Sequence, residues 1–204
     1  MKIYLHQNDL PDELSFEKSI AIDTETMGLK TSRDRLCLIQ ISQGNNETHL
    51  IKIDNNEVSK FNNLKKLLWD QEIEKIFHFA RFDLNVLTYY VGPIRGQIWC
   101  TKIASKLCRT YTNKHGLSDL CKEILGIELP KEQQSSNWGQ KSLSHDQQRY
   151  AANDVVYLHK IKEELTKILE QEGRLQLAKN VFDFLLTRSK LDLSGFNDID
   201  IFAH

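Results

Sequence analysis

The chain has little of what makes turns, staples or membrane spans. Nine glycines and three prolines make up about 6% of 204 residues, roughly half the usual share, which predicts long helices and short connections. The four cysteines (Cys37, Cys100, Cys108, Cys121) form no CxxC pair and no metal-finger spacing. They read as small buried hydrophobes in a reducing cytoplasm, not as a disulfide frame or a zinc site. No run approaches the roughly 18 apolar residues that a membrane-spanning helix needs, and MKIYLHQNDLPDE turns polar too early for a signal peptide. The net charge is only −1, from 27 basic and 28 acidic residues. That excludes a chain coating long nucleic acids by charge alone, while leaving room for a local nucleotide site. With 40% apolar residues, the chain does not have the composition of a disordered protein. It contains no repeat, low-complexity tract or linker, so residues 1–204 read as a single domain with a helical C-terminal half.

What is present is an ordered alternation. SIAIDTE (19–25), LCLIQIS (36–42), THLIKID (48–54) and EKIFHFA (74–80) are short β-rich runs bounded by polar residues. NNEVSKFNNLKKLLWDQ carries Val58, Phe61, Leu64, Leu67 and Leu68 at helical spacing, and a further helix starts at Arg81. This order predicts an α/β fold, a mixed sheet with helices on its faces. In the second half, IWCTKIASKLC and HGLSDLCKEILG read as helices, the latter stopped by Gly126 and Pro130. Ser144 to Gln147 form a capping box that opens a long helix, with an inward stripe of Ala151, Val155, Leu158, Ile161, Leu165 and Ile168. Between them, KEQQSSNWGQKSLS (131–144) is aperiodic and longer than most connections, the length of a binding loop or lid.

Four acids stand where acids are costly. Asp23 and Glu25 end an apolar run and, two apart on a strand, point to one face, where repulsion and desolvation oppose them without a counter-charge. A polar strand end is the alternative. Asp83 shares the inward stripe of its helix with Ala80, Leu84 and Leu87, beyond the carboxyl end of a strand, where open α/β sheets place their sites; a helix N-terminal acid is the alternative. Tyr150 and Asp154, four apart, are neighbours on one helix face, flanking the buried stripe. A divalent cation gives the four acids a common explanation: hard oxygen ligands suit Mg²⁺ or Mn²⁺, and paired ions can activate a water and stabilise a leaving phosphodiester oxygen.

With these residues in view, IDTETMGL, FHFARFD and YAAND resemble the three motifs of the DEDD 3′–5′ exonucleases. The resemblance implies a ribonuclease H-like fold, a mixed five-stranded sheet flanked by helices, with Asp23, Glu25, Asp83 and Asp154 as ligands of two divalent cations. Tyr150 matches the residue that orients or deprotonates the attacking water in the tyrosine subclass. The histidine subclass needs a histidine five residues before Asp154, and Arg149 stands there, so the chain resembles the ribonuclease D branch. LCLIQIS, KIFHFARFDLNVL, CTKIASKL, HGLSDL, QQSSNW and LDL…DIDIFAH extend the similarity, end to end, to the nano-RNase C group, which lacks the helical RNA-binding domains of full ribonuclease D. That group implies a homo-octameric ring and a metal-dependent exoribonuclease that cleaves very short RNA, dinucleotides above all, to nucleoside 5′-monophosphates at the last step of RNA decay. The alternatives are a ribonuclease D-like trimming of longer RNA or DNA 3′ ends, and a non-catalytic binding module that retains the fold.

Further substrate residues follow from the same resemblance. Thr26 and Leu29 match the stretch lining the 3′-terminal nucleotide, Leu29 as an apolar wedge between bases or else a core leucine. His78 is a phosphate or ribose contact or a satisfied core histidine. Arg81 is a bidentate phosphate ligand or a counter-charge to the carboxylates. Trp138, beside Gln134 and Ser136, stacks on a base or pins its loop to the body. Arg33, Arg35, Lys102, Lys106, Arg109 and Lys114 read as a solvated or interface face.

Overall fold

A computed structural model describes residues 1–54, 61–130 and 136–204. Six strands form one mixed sheet: β1 (Lys2–Gln7), β2 (Ser19–Thr26), β3 (Leu36–Ser42), β4 (Glu47–Lys52), β5 (Glu74–Phe77) and β6 (Ile98–Cys100), in the order β1-β4-β3-β2-β5-β6. The β2–β3 and β3–β4 pairs are antiparallel; β1–β4, β2–β5 and β5–β6 are parallel. The central β3 is buried at every position, because its apolar side chains divide between the cores on the two faces of the sheet while Gln40 and Ser42 are hydrogen-bonded.

This is one strand more than the five expected, and β1 and β6 account for the runs not read as strands. β1 is an edge strand with mostly exposed side chains, held by its main-chain ladder to β4, so it shows no clean apolar alternation. Ile98–Cys100 was assigned to a helix, but these three residues pair with β5 and the helix begins only at Thr101. Tertiary pairing overrides local pattern at such short segments.

The helices are α1 (Asn63–Trp69), α2 (Ala80–Tyr90), α3 (Thr101–Cys108), α4 (Leu117–Leu125), α5 (His145–Val156), α6 (Leu158–Gln171) and α7 (Leu175–Leu191). None is long and apolar enough to cross a membrane. The part of the first predicted helix over 55–60, with Val58, lies outside the described residues. The predicted long helix from Ser144 is two, broken at Tyr157. Its stripe continues through Leu165 to Leu169, leaving Ile168 half-buried. The capping box is present, with the Gln147 amide N–H donating to Ser144 Oγ at 3.2 Å. Gly126 ends α4 at φ 68°, a left-handed conformation in which glycine bears no Cβ penalty.

α5 packs on β2, β3 and β4, where Cys37, Leu38, Leu50, Trp138, Leu143 and Ala151 form a small core. A larger core is shared by the sheet and the remaining helices. The feature that positions the site is a split in the sheet. β5 pairs with β2 only along Ser19–Ala21, then turns through His78 and Phe79 into α2. Phe79 makes that turn at φ 71°, ψ 46°, a left-handed conformation that costs a bulky residue roughly 1–2 kcal/mol. The reversal leaves the edge of β2 open beyond Ala21, and the first turn of α2 fills the space.

Candidate active site

β2 carries Asp23 and Glu25 at this opening, and α5 crosses the same face with Tyr150 and Asp154. Carboxylate oxygens of Asp23, Glu25 and Asp154 lie within 4.8 Å of one another. Asp83, in the first turn of α2 and only 2% exposed, approaches through β2: the Thr24 hydroxyl donates to its Oδ1 at 2.7 Å. Gln40, opposite Asp23 in the β2–β3 register, donates its amide to Asp23 Oδ2 at 3.3 Å. Four acids from three elements thus converge on one place, with Tyr150 beside them. All five are sequence-predicted site residues.

The electrostatics explain why the site asks for a cation. Burial pushes the Asp23 carboxyl up to about 7. Burial, then the charges of Asp23, Asp154 and Asp83, push Glu25 up to about 10. Asp83 and Asp154 are held well above the usual carboxylate range by burial and by the Asp23 charge. Burial and the nearby carboxylates move the Tyr150 hydroxyl further above its ordinary 10. No basic side chain answers the cluster among the described residues. All-oxygen donors at this spacing suit a hard divalent ion, so the residues present fit such a group.

Asp23, Glu25 and Asp154, with Asp83 behind them, open onto a cavity of about 460 Å³, lined also by Thr24, His78, Lys102, Gly116, Leu117, Ser118, Leu129, Pro130 and Asn153. There Asp23, Glu25, Tyr150 and Asp154 form an acidic side. A family model described as 3′–5′ exonuclease matches residues 6–170, spanning every one of these acids. The chain belongs to the DEDD 3′–5′ exonucleases. Within that family of divalent-metal-dependent nucleases, the chain is similar to ribonuclease D. It is 31% identical to Ribonuclease D of Gluconacetobacter diazotrophicus over 164 residues, covering 80% of this chain and 41% of the relative. The exonuclease spans about two fifths of the length of the curated ribonuclease D relatives it matches. Two solved structures agree over all of it: Brucella melitensis NrnC with bound Mg²⁺ (49% identity, 100% of both chains, TM-score 0.95) and the same protein bound to pGG (50% identity, 100% of this chain and 99% of that chain, TM-score 0.95). Escherichia coli RNase D superposes with a TM-score of 0.72 at 29% identity, over 85% of this chain and 45% of that one.

The other predicted site residues fall in several places. His78 lines the cavity. The Thr101 hydroxyl donates to Phe77 O at 3.2 Å, so its oxygen accepts from His78 Nδ1 at 2.8 Å. That places a proton on Nδ1, and burial, which drives the pKa down to about 3, favours the neutral imidazole with a bare Nε2. The Thr26 hydroxyl is turned onto Gly28 O at 2.5 Å. Leu29 is 84% exposed, which rules out a core leucine. Arg81 is turned toward the C-terminal segment, where its Nε and Nη2 bind Asp192 at 2.6 and 2.8 Å. Trp138 is buried, 6.1 Å from the Tyr150 ring between centroids, and so pins its loop to the body instead of offering a face to a base. Gln134 lies outside the described residues.

Sequence reasoning misplaced two cations. Lys102 and Arg109 were read as solvated or interface residues. Lys102 instead lines the cavity with its ammonium 4.4 Å from the Phe79 ring centroid, and Arg109 is 1% exposed. Arg109 lies past the end of α3 and is buried by acceptors on Ser105, Lys114 and Glu123, which the helical pattern does not reveal. The start of α4 at Gly116–Ser118, another wall of the cavity, lies in HGLSDL, a segment that carries the resemblance but in which no site residue is predicted.

Proposed function

We propose that the chain is a 3′–5′ exoribonuclease that hydrolyses very short RNA, dinucleotides above all, to nucleoside 5′-monophosphates. The carrying observation is the three carboxylates held within 4.8 Å of one another at one side of a cavity of about 460 Å³. That volume is in the range of pockets that enclose a single small ligand, about 300–1,000 Å³. A long polyanion would find little counter-charge: Lys102 is the one charged basic residue among the described cavity residues. The pGG held by a similar protein supports a short substrate.

Asp23, Glu25, Asp83 and Asp154 would hold two divalent cations, Mg²⁺ or Mn²⁺, which when bound supply the charge that acidifies water and stabilises a leaving oxygen. Tyr150, whose hydroxyl is held protonated, orients the attacking water as a donor and acceptor. The bare Nε2 of His78 accepts from a hydroxyl and cannot donate to a phosphate oxygen, so this residue reads the ribose. Lys102 meets the substrate's phosphate, and exposed Leu29 wedges between its bases beside Thr26. Residues 1–204 act as one domain, its four buried free cysteines suited to a reducing cytoplasm. Exposed Phe196, Ile199, Ile201 and Phe202 support assembly, as an octameric ring, through the C-terminal segment.

The test is cleavage of a 5′-labelled dinucleotide against a labelled twenty-mer, with and without Mg²⁺. Much faster, Mg²⁺-dependent cleavage of the dinucleotide is expected. Comparable rates would overturn the short-substrate reading in favour of a trimming exonuclease. Full activity in Asp23→Ala would remove the carboxylate cluster from the reaction. Light scattering that finds a stable monomer would exclude the ring.

A further inference from the structure

A fully buried arginine sits directly behind the non-acidic wall of the cavity. Arg109, just past the end of α3, is 1% exposed. Its Nη1 donates to Ser105 Oγ at 2.9 Å and to Lys114 O at 2.8 Å, and its Nη2 donates to the Glu123 carboxylate. Ser105 in turn hydrogen-bonds His115 Nδ1 at 2.8 Å. These partners belong to three pieces of chain: α3, the connection 110–116, and α4. All three carry cavity residues. α3 supplies Lys102, one turn before Ser105, the connection ends at Gly116, and α4 opens with Leu117 and Ser118.

A buried guanidinium is costly to desolvate and is retained only where its fork of donors meets acceptors in several fixed directions at once. Here those directions tie α3 to α4 across a connection with no strand or helix of its own. The acids touch none of the network: β2, α2 and α5 hold them independently.

We propose that Arg109 is a positioning residue for substrate, which fixes the separation between Lys102 and the Gly116–Ser118 start of α4 and thereby sets the affinity for RNA. The inference rests on the reading of this cavity as the substrate site. The Lys102 and Gly116–Ser118 wall is thus held by a network that includes none of the four acids.

Steady-state kinetics of the full chain in Mg²⁺ tests this, on whichever RNA the wild type cleaves best. Arg109→Lys keeps the charge but not the fork, and KM should rise about tenfold, the effect of one lost charged hydrogen bond, with kcat within about twofold. Glu123→Gln, a milder change at a partly exposed partner, should raise KM in the same sense. On a Lys102→Ala background, Arg109→Lys should add less than its separate effect, because both act through one wall. Lowered thermal stability with KM unchanged in both variants would overturn the proposal as merely structural. So would a fall in kcat at constant KM, or full additivity with Lys102→Ala. If Arg109→Lys does not fold, Glu123→Gln decides alone. Failure of the dinucleotide preference would leave the KM–kcat split readable on longer RNA, so the two readings fail separately.

Discussion

Without divalent cations the acids work against the fold, and Asp154→Asn isolates that cost. Carboxylate oxygens of Asp23, Glu25 and Asp154 lie within 4.8 Å of one another, and two full charges at that separation repel by about 3.5 kcal/mol at an effective dielectric near 20. Proton uptake relieves part of this, since Asp23 is held near 7 and Glu25 near 10. Removing one acid should therefore stabilise the metal-free protein by about 1–2 kcal/mol near neutral pH. For a chain of this size each kcal/mol moves Tm by about 2–4 °C, so an increase of about 2–8 °C is expected. The pH sign follows from raised folded-state values: such carboxyls contribute their full stability below the ordinary range, and lose it as pH rises through the raised values. In EDTA, wild-type Tm should fall from about pH 5 to about pH 8, and the variant should fall less. Mg²⁺ should raise wild-type Tm well above its effect on the variant, while cleavage is abolished. Calorimetric melting with EDTA and with Mg²⁺ reads all of this. A variant less stable than wild type in EDTA, yet equally responsive to Mg²⁺, would refute the reasoning.

Tyr150→Phe should lower kcat by about 10²-fold and leave the Mg²⁺-induced rise in Tm intact; an unchanged rate removes the hydroxyl from the reaction. Arg81→Ala should cost about 1–2 kcal/mol of stability, because Asp192, whose side chain is 2% exposed, loses a two-point partner but keeps Arg188 at 2.9 Å and Asn85 at 3.0 Å, while KM stays put. A raised KM without that loss would return Arg81 to the substrate. Trp138→Ala should destabilise by about 3–5 kcal/mol as a core truncation, and a stable variant with weakened RNA binding would show instead that the indole stacks on a base. Leu29→Ala should shift stability by no more than about 0.5 kcal/mol while raising KM for a dinucleotide several-fold; unchanged kinetics would end the wedge assignment.

The acids could be found from the sequence because each breaks a local rule. Asp23 and Glu25 interrupt a run that should be wholly apolar, and Asp83 occupies an inward helical position; such conflicts mark places where function overrides folding economy. The helices and central strands were legible for the opposite reason, since period and burial agree along LCLIQIS and along the stripe from Ala151 to Leu165. β1 and β6 were not: one has an exposed face, the other has three residues, and each is specified by its partner strand. The partner of Arg81 is not legible because its acceptor arrives from distant chain, and the burial of Arg109 is not because its acceptors depend on how the connection 110–116 folds back. Asp192 lies 111 residues from Arg81.

The acid cluster is also completed late along the chain. Asp23, Glu25 and Asp83 all stand before residue 100, but Asp154 and Tyr150 come from α5. The sheet alone therefore carries an unfinished set of acids, and the set is whole only where α5 packs on β2.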